Sequence, residues 1–148
     1  MANIVLLKGR PIHKEGIASE AITPGDLLEF VPSGGDAGEL RKHANAAQNA
    51  SPMFAREEEY VGGGLTDAYA DGDKVAYYVC RPGDEVNARL ASGQNVAKGA
   101  FLESAGNGQL RAHSAVSGQH VYVKAVVGQA MVATDAAAGA TRIRVEVL

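Results

Sequence analysis

The sequence lacks the features that would point to a disulfide scaffold or a membrane protein. Its 148 residues include no tryptophan, only three phenylalanines and one cysteine, Cys80. A single cysteine excludes an intramolecular disulfide and is typical of a reducing compartment, where a buried and inert thiol is expected. The apolar run at the N-terminus, Ile4 to Leu7, is too short for a signal peptide or a membrane span. We therefore expect a soluble protein that does not use the classical secretory route.

The sequence also has no strong excess of either positive or negative charge. The chain has 14 basic and 17 acidic residues, for a net charge of −3, and its lysines and arginines are scattered. Binding to phosphate backbones requires clustered positive charge, so the sequence argues against nucleic acid as a direct partner. The acidic run from Arg56 to Glu59 predicts a solvated face, with contact to a basic partner as the alternative.

Residue patterns that bind metals, phosphates or calcium are missing as well. The four histidines lack the close spacing of metal ligands, the Asp67 to Asp73 region lacks the spacing of a calcium loop, and the glycines at 62–64 precede no phosphate-binding Lys-Ser or Lys-Thr. The histidines are His13, His43, His113 and His120. We expect no metal site and no cofactor.

Nucleophilic catalysis has no better support in the sequence. No Gly-x-Ser-x-Gly motif is present, and nothing in the sequence pairs Cys80 with a base. We therefore expect no catalytic residues and predict that the protein is not an enzyme.

What the sequence does contain is an internal repeat. The segments Ile22 to His43 and Val96 to His113 carry the same six residues in the same order, and only the Gly-rich turn between the matched Glu and the second matched Leu differs in length. The matched pairs are Gly25 and Gly99, Leu28 and Leu102, Glu29 and Glu103, Leu40 and Leu110, Arg41 and Arg111, and His43 and His113. The frame predicts a duplicated β-hairpin in which Gly permits a bend and Glu faces Arg across the strands.

The remaining patterns predict strands. Val75 to Cys80 is rich in β-branched and aromatic residues, Glu85 to Leu90 follows a Pro-Gly turn as its returning strand, and Thr141 to Leu148 alternates polar and apolar residues. Shorter strands are expected at Pro52 to Ala55 and Val121 to Val127. Since no stretch has sustained helical periodicity, the fold class is mainly β: a small barrel or sandwich with a duplicated Gly-rich hairpin.

We divide the chain into an N-terminal arm over residues 1–20 and a single β domain over 21–148, with repeat copies at about 22–55 and 96–127. The arm is apolar but has no local core, and an apolar strand start precedes the acidic run, so both are predicted to contact another subunit or partner. The predicted interface residues are Ile4, Val5, Leu6, Leu7, Pro11, Ile12, Met53, Phe54, Glu57 and Glu58.

One part of the chain resembles a known family. Arg81 to His113 contains a Pro-Gly-Asp-Glu-Val strand, an Ala-x-Gly-Gln turn and a Gly-x-Phe-Leu-Glu-Ser hairpin, and Ala140 to Leu148 contains Arg-Ile-Arg-Val-Glu. These segments resemble the head decoration, or capsid cement, proteins of tailed bacteriophages, of the type found in Chi-like siphophages and related myophages. The resemblance covers residues 55–148 well and the first third loosely, and it departs from the family at Cys80 and Lys98.

The resemblance implies a virion protein made in the cytoplasm of a bacterial host. It would sit on the outer surface of the expanded capsid, at junctions between capsomers of the major capsid protein, and reinforce the shell against internal DNA pressure. It would bind there as a homotrimer, or alternatively a dimer, with residues 2–12 lying along the capsid or a neighbouring subunit.

Two other functions remain open at this point. A carrier domain of the biotinyl or lipoyl type also duplicates a Gly-rich hairpin, but it needs a modifiable lysine at a hairpin tip, and Lys74 and Lys124 lack the expected setting. A small β-barrel enzyme would depend on His43 and His113 alone.

Overall fold

The computed structural model describes residues 4–33, 35, 37–114 and 125–148. The described chain is mainly β, as the sequence predicts, and includes a short 3-10 turn at Glu59–Val61. The strands are β1 Leu6–Lys8, β2 Ile12–Ala18, β3 Leu28–Phe30, β4 Glu39–Lys42, β5 Met53–Ala55, β6 Lys74–Val79, β7 Glu85–Leu90, β8 Asn95–Val96, β9 Phe101–Gly106, β10 Gln109–Ala112, β11 Val126–Ala130, β12 Thr134–Asp135 and β13 Thr141–Val147.

The C-terminal half forms a closed five-stranded barrel. The strands follow the order β7, β10, β9, β11, β13, and β13 pairs with β7 again, which closes the ring. β1 adds to the barrel by pairing antiparallel with the start of β7, so Leu6 to Lys8 lie at a sheet edge. Fully buried aliphatic side chains fill the interior, among them Leu90, Leu102, Leu110 and Ile143.

The N-terminal half also forms a five-stranded barrel, which we call the first barrel, and the C-terminal barrel is the second. The sheet of the first barrel has the order β3, β4, β2, β6, β5, and an antiparallel bridge between Leu27 and Phe54 joins the two ends. A backbone hydrogen bond from Ala55 N–H to Asp26 O, 3.0 Å, reinforces this closure. Ile22, Leu28, Leu40 and Val75 are fully buried in its core.

The two barrels repeat the same connectivity strand by strand. The parallel pair β2–β4 corresponds to β7–β10, and the antiparallel pairs β3–β4, β2–β6 and β5–β6 correspond to β9–β10, β7–β13 and β11–β13. The Leu27–Phe54 bridge corresponds to the Phe101–Gln129 pair of β9 and β11. The predicted hairpin repeat is therefore one part of a duplicated five-stranded barrel.

The glycines of the repeat adopt the backbone conformation that their positions predict. Gly25 and Gly99 have φ values of 90° and 87°, a backbone conformation that residues with a side chain rarely adopt. Each lies just before the first strand of its hairpin. At the tip of the second hairpin, Asn107 and Gly108 have φ values of 53° and 72°, as a tight turn of mirror-image type requires. The predicted bend and the predicted Asn-Gly hairpin are both confirmed.

The structure assigns two segments differently from the sequence. β2, placed in the N-terminal arm above, is the central strand of the first barrel and pairs with β4 and β6. Its pattern was hidden because only the small residues Gly16 and Ala18 of this strand are buried. Similarly, β7 does not return along β6: the turn at 81–84 instead links one barrel to the other. The prediction of a β6–β7 hairpin is wrong, because both strands find better-matched partners within their own barrels.

Candidate interaction surfaces

The outer face of the first barrel contributes a row of apolar residues to the contact between barrels. Phe54 of β5 pairs with Tyr78 of β6 on one side and with Leu27, just before β3, on the other. The exposed fractions of Leu27, Phe54 and Tyr78 are 0%, 0% and 3%, and they pack in the same cluster as the core residues of the second barrel. This row joins the outer face of the first barrel to the hydrophobic core of the second.

A buried ion pair reinforces the same contact. The Asp26 carboxylate is completely buried and accepts hydrogen bonds from Thr23 N–H at 2.8 Å and Arg89 Nη1 at 3.0 Å. Burial raises the pKa of Asp26 above its usual value, against the opposing effects of the Thr23 hydrogen bond and of the Arg89 charge. Arg142 adds hydrogen bonds to the carbonyls of Pro24 at 2.5 Å and Leu65 at 2.6 Å. Positive side chains of the second barrel thus hold the loop that precedes β3.

The paired Glu and Arg residues of the repeat face each other as predicted. Arg41 Nε donates to Glu29 at 2.7 Å in the first hairpin, and Arg111 Nε donates to Glu103 at 2.9 Å in the second. His113 shares a 2.7 Å hydrogen bond with Glu103 in the same cluster. These contacts connect neighbouring strands of each hairpin.

His43 has a different role from its counterpart in the repeat. It is buried and shares hydrogen bonds with the Ser104 hydroxyl at 2.8 Å and the carbonyl of Asn49 at 3.0 Å. Because Ser104 belongs to the second barrel, His43 links the two barrels. His120 lies outside the described residues.

Within the described ranges, no group of three or more His, Cys, Asp or Glu side chains converges as a metal site would. The aspartates weighed above as calcium ligands stabilise turns: Asp67 accepts from Gly64 N–H and Asp73 accepts from Ala70 N–H, both at 2.7 Å. In the same part of the chain, no helix is long and apolar enough to cross a membrane.

Cys80 is a buried thiol at the end of β6, 5% exposed. Burial raises its pKa to about 12, and the negative charge of Asp84 adds to the effect. A thiol with this pKa is almost entirely protonated at neutral pH and therefore a poor nucleophile.

We accordingly predict that Cys80 of the native protein reacts with dithionitrobenzoate at pH 8 at least about a hundredfold more slowly than in the urea-unfolded chain. The measurement is the absorbance of released thionitrobenzoate, with glutathione as the reference thiol in both solvents. Equal rates for native and unfolded protein would show that the thiol is accessible and contradict this assignment.

The residues predicted to form an interface fall into two groups. Val5, Pro11, Met53, Phe54 and Glu57 are buried within the chain. Glu57 accepts a hydrogen bond from Val5 N–H at 3.0 Å, which fixes Val5 against the fold. Ile4 and Ile12 remain 44% and 47% exposed, Glu58 is exposed, and Leu6 and Leu7 are half-buried.

A surface that the sequence did not single out surrounds Tyr60. Tyr60 and Val61, in the 3-10 turn after the acidic run, are 92% and 74% exposed. They stand beside an open cleft of about 550 Å³, which we call the Tyr60 cleft. Its lining residues are His13, Lys14, Glu15, Arg56, Glu57, Glu58, Tyr60, Lys74 and Ala76. The available signal was an aromatic residue directly after a charged run and before three glycines.

Lys74, weighed above as a modifiable lysine, is the first residue of β6 and forms a 2.9 Å ion pair with Glu15 at the Tyr60 cleft. Lys124 lies outside the described residues.

The arrangement of two barrels is also found in a protein of known structure. No family model and no curated protein matches the sequence. A solved structure does match: the head fiber gp8.5 N base of bacteriophage phi29, with a TM-score of 0.59 and 13% sequence identity. The match covers 94% of this chain and 95% of that chain. At this identity the similarity shows a common fold along nearly the whole length of both chains.

Proposed function

We propose that this protein is a structural component of a phage virion that binds the outer surface of the expanded capsid. It attaches at junctions between capsomers, contacts the major capsid protein, and stabilises the shell as a homotrimer against internal DNA pressure. The observation that carries this proposal is the shared fold with a phage head fiber base over almost the entire chain. The resemblance of Arg81 to His113 to capsid decoration proteins supports it independently.

The architecture suits a protein that acts by binding to a site and not by catalysing a reaction there. Polar groups buried in the described barrels mostly bind one another, as in the Asp26–Arg89 and His43–Ser104 pairs, and serve the fold. A protein that binds only the assembled, expanded shell stabilises that shell by mass action at every site, without any turnover. Many identical sites on one particle then add up to a large total effect.

The Tyr60 cleft is the surface that we assign to the capsid. Exposed aromatic side chains dominate binding energy at protein interfaces, and Tyr60 is the most exposed large apolar residue among those described. The cleft also contains both signs of charge, with Glu58 next to Arg56 and the Lys74–Glu15 pair, so it can match a mixed polar rim. Ile12 and Glu58, predicted from the sequence as interface residues, lie in or next to this region.

The test is sedimentation of the protein with expanded, undecorated phage capsids and with unexpanded procapsids. We expect saturable binding to expanded shells only, and at least about a tenfold weaker affinity for the double variant Tyr60→Ala/Val61→Ser. Asp71→Ala, in a separate exposed turn, is the matched control and should bind like the wild type.

No binding of the wild-type chain to any expanded shell would overturn the proposed function. Normal binding by Tyr60→Ala/Val61→Ser would reject the cleft as the contact and leave capsid binding intact. The mass of the purified chain, recorded in the same experiment, also checks the carrier-domain alternative, since a modified lysine would appear as a mass increment.

A further inference from the structure

The two barrels have the same strand connectivity but differ in which of their equivalent outer faces are covered. On the first barrel, the row Leu27, Phe54 and Tyr78 is buried against the second barrel. Strand pairing places the equivalent row of the second barrel at Phe101, Gln129 and Glu146. Phe101 is 50% exposed, whereas its counterpart Leu27 is 0% exposed. The second barrel therefore leaves uncovered, at Phe101, the position that Leu27 buries on the first, while Gln129 and Glu146 are half-buried polar residues.

The receiving face of the contact shows the same asymmetry. On the second barrel, Arg89, Arg142 and Ser104 receive the first barrel through Asp26, Pro24 and His43. Strand pairing gives Ile17, Lys74 and Phe30 as their counterparts on the first barrel. Ile17 and Phe30 are 37% and 50% exposed, although both are large and apolar. The first barrel thus leaves exposed the face that is equivalent to the one the second barrel uses to bind the first.

The two uncovered faces have changed in matching ways. Within the chain, Asp26 meets Arg89 as a buried ion pair. Ala100 is the counterpart of Asp26 and Ile17 that of Arg89, so the same position between two copies would hold an apolar pair. Had only one member changed, a charge would have been buried without its partner, at a high energetic cost.

From this correspondence we infer that the second barrel of one copy packs on the first barrel of the next copy, in the way that the two barrels pack within a chain. Phe101 and Ala100 of one copy meet Ile17 and Phe30 of its neighbour. The contact is heterologous, because it joins two different faces, and in the homotrimer proposed above it closes into a ring in which each copy supplies both faces. In a homotrimer the ring would contain six barrels. The inference rests on the oligomer proposed above and does not depend on capsid binding.

Sedimentation velocity of the purified full-length chain tests this arrangement with three variants. Phe101→Asp and Ile17→Asp each remove one face, and each should convert the oligomer to monomer with the circular dichroism spectrum of the wild type. Phe101→Leu, which introduces the residue found at the equivalent position 27, should keep the oligomer. A variant that unfolds would be replaced by Phe101→Ser or Ile17→Ser, since both sites are exposed in the single chain.

Mixing the two defective variants gives the most specific result. Phe101→Asp keeps a normal first-barrel face and Ile17→Asp keeps a normal second-barrel face, so together they can form one good contact and no ring. We expect a species with the mass of two chains, at a ratio of one to one, and nothing larger.

Three results would overturn the inference: a monomeric wild-type chain, an oligomer that survives Ile17→Asp, or a mixture that stays monomeric. The capsid experiment separates this inference from the proposed function. A monomeric chain that still binds expanded capsids would contradict the inter-chain contact and the homotrimer while leaving capsid binding intact, and a stable ring that binds no capsid would contradict capsid binding while leaving the inter-chain contact intact.

Discussion

Phe54→Ala is expected to lower the free energy of unfolding by about 3–5 kcal/mol, the usual range for truncating a fully buried phenylalanine. Phe54 is 0% exposed and is the middle residue of the row through which the first barrel packs on the second. Its backbone also closes the first barrel through the bridge to Leu27. The substitution leaves a cavity where the two barrels meet, and a loss of this size is a large part of the about 5–15 kcal/mol that stabilises a typical domain.

Urea unfolding followed by far-ultraviolet circular dichroism measures this change. Tyr60→Ala is the matched control, since it removes an aromatic ring that is 92% exposed and should change stability by less than about 0.5 kcal/mol. A Phe54→Ala variant as stable as the Tyr60→Ala variant would mean that the barrels do not share a core.

Asp26→Ala is expected to lower the free energy of unfolding by about 2–3 kcal/mol. The substitution leaves Thr23 N–H without its acceptor and removes the counter-ion of Arg89. We place the loss below that of a fully enclosed ion pair because the Arg89 side chain is 26% exposed and can turn toward water. The measurement is the same urea titration, with Glu15→Ala as the control because the Glu15–Lys74 pair is exposed on both sides.

A double-mutant cycle extends this prediction to the comparison between barrels. The double variant Asp26→Ala/Arg89→Ile introduces the residue types found at the equivalent positions of the opposite barrels. Ala100 is the counterpart of Asp26 on the second barrel, and Ile17 is the counterpart of Arg89 on the first. Replacing a buried ion pair by apolar groups is often nearly neutral, so the double variant should recover at least about half of the stability lost in Asp26→Ala. Additive losses in the cycle would show that the two side chains do not interact across the barrels.

Local patterns predicted most of the strands correctly. β6 has the β-branched and aromatic content of a strand, β13 alternates with period two, and the Asn107-Gly108 turn identifies its hairpin. These features depend on residues near one another in sequence, where backbone preference and side-chain alternation act directly. The repeated Leu-Glu and Leu-Arg-x-His pairs likewise identified the Glu–Arg contacts in both hairpins.

The candidate surfaces were harder to predict, because burial depends on the partner that a strand finds. Phe54 and Phe101 are both apolar residues on the outer face of a strand, yet one is buried by the neighbouring barrel and the other is 50% exposed. No local pattern distinguishes them. Val5 and Met53 were assigned to an interface because they lacked a local core, and the structure supplies that core from distant strands.

The sequence by itself therefore determined the fold class, the positions of most strands and the fact of duplication. Each of these follows from local preference or from direct comparison of one segment with another. Only the tertiary structure decided that the duplicated unit is a complete barrel, that β2 belongs to it and that β6 and β7 part into different barrels. The reason is that closure depends on backbone pairing between strands far apart in sequence, as between β13 and β7, which no local pattern encodes.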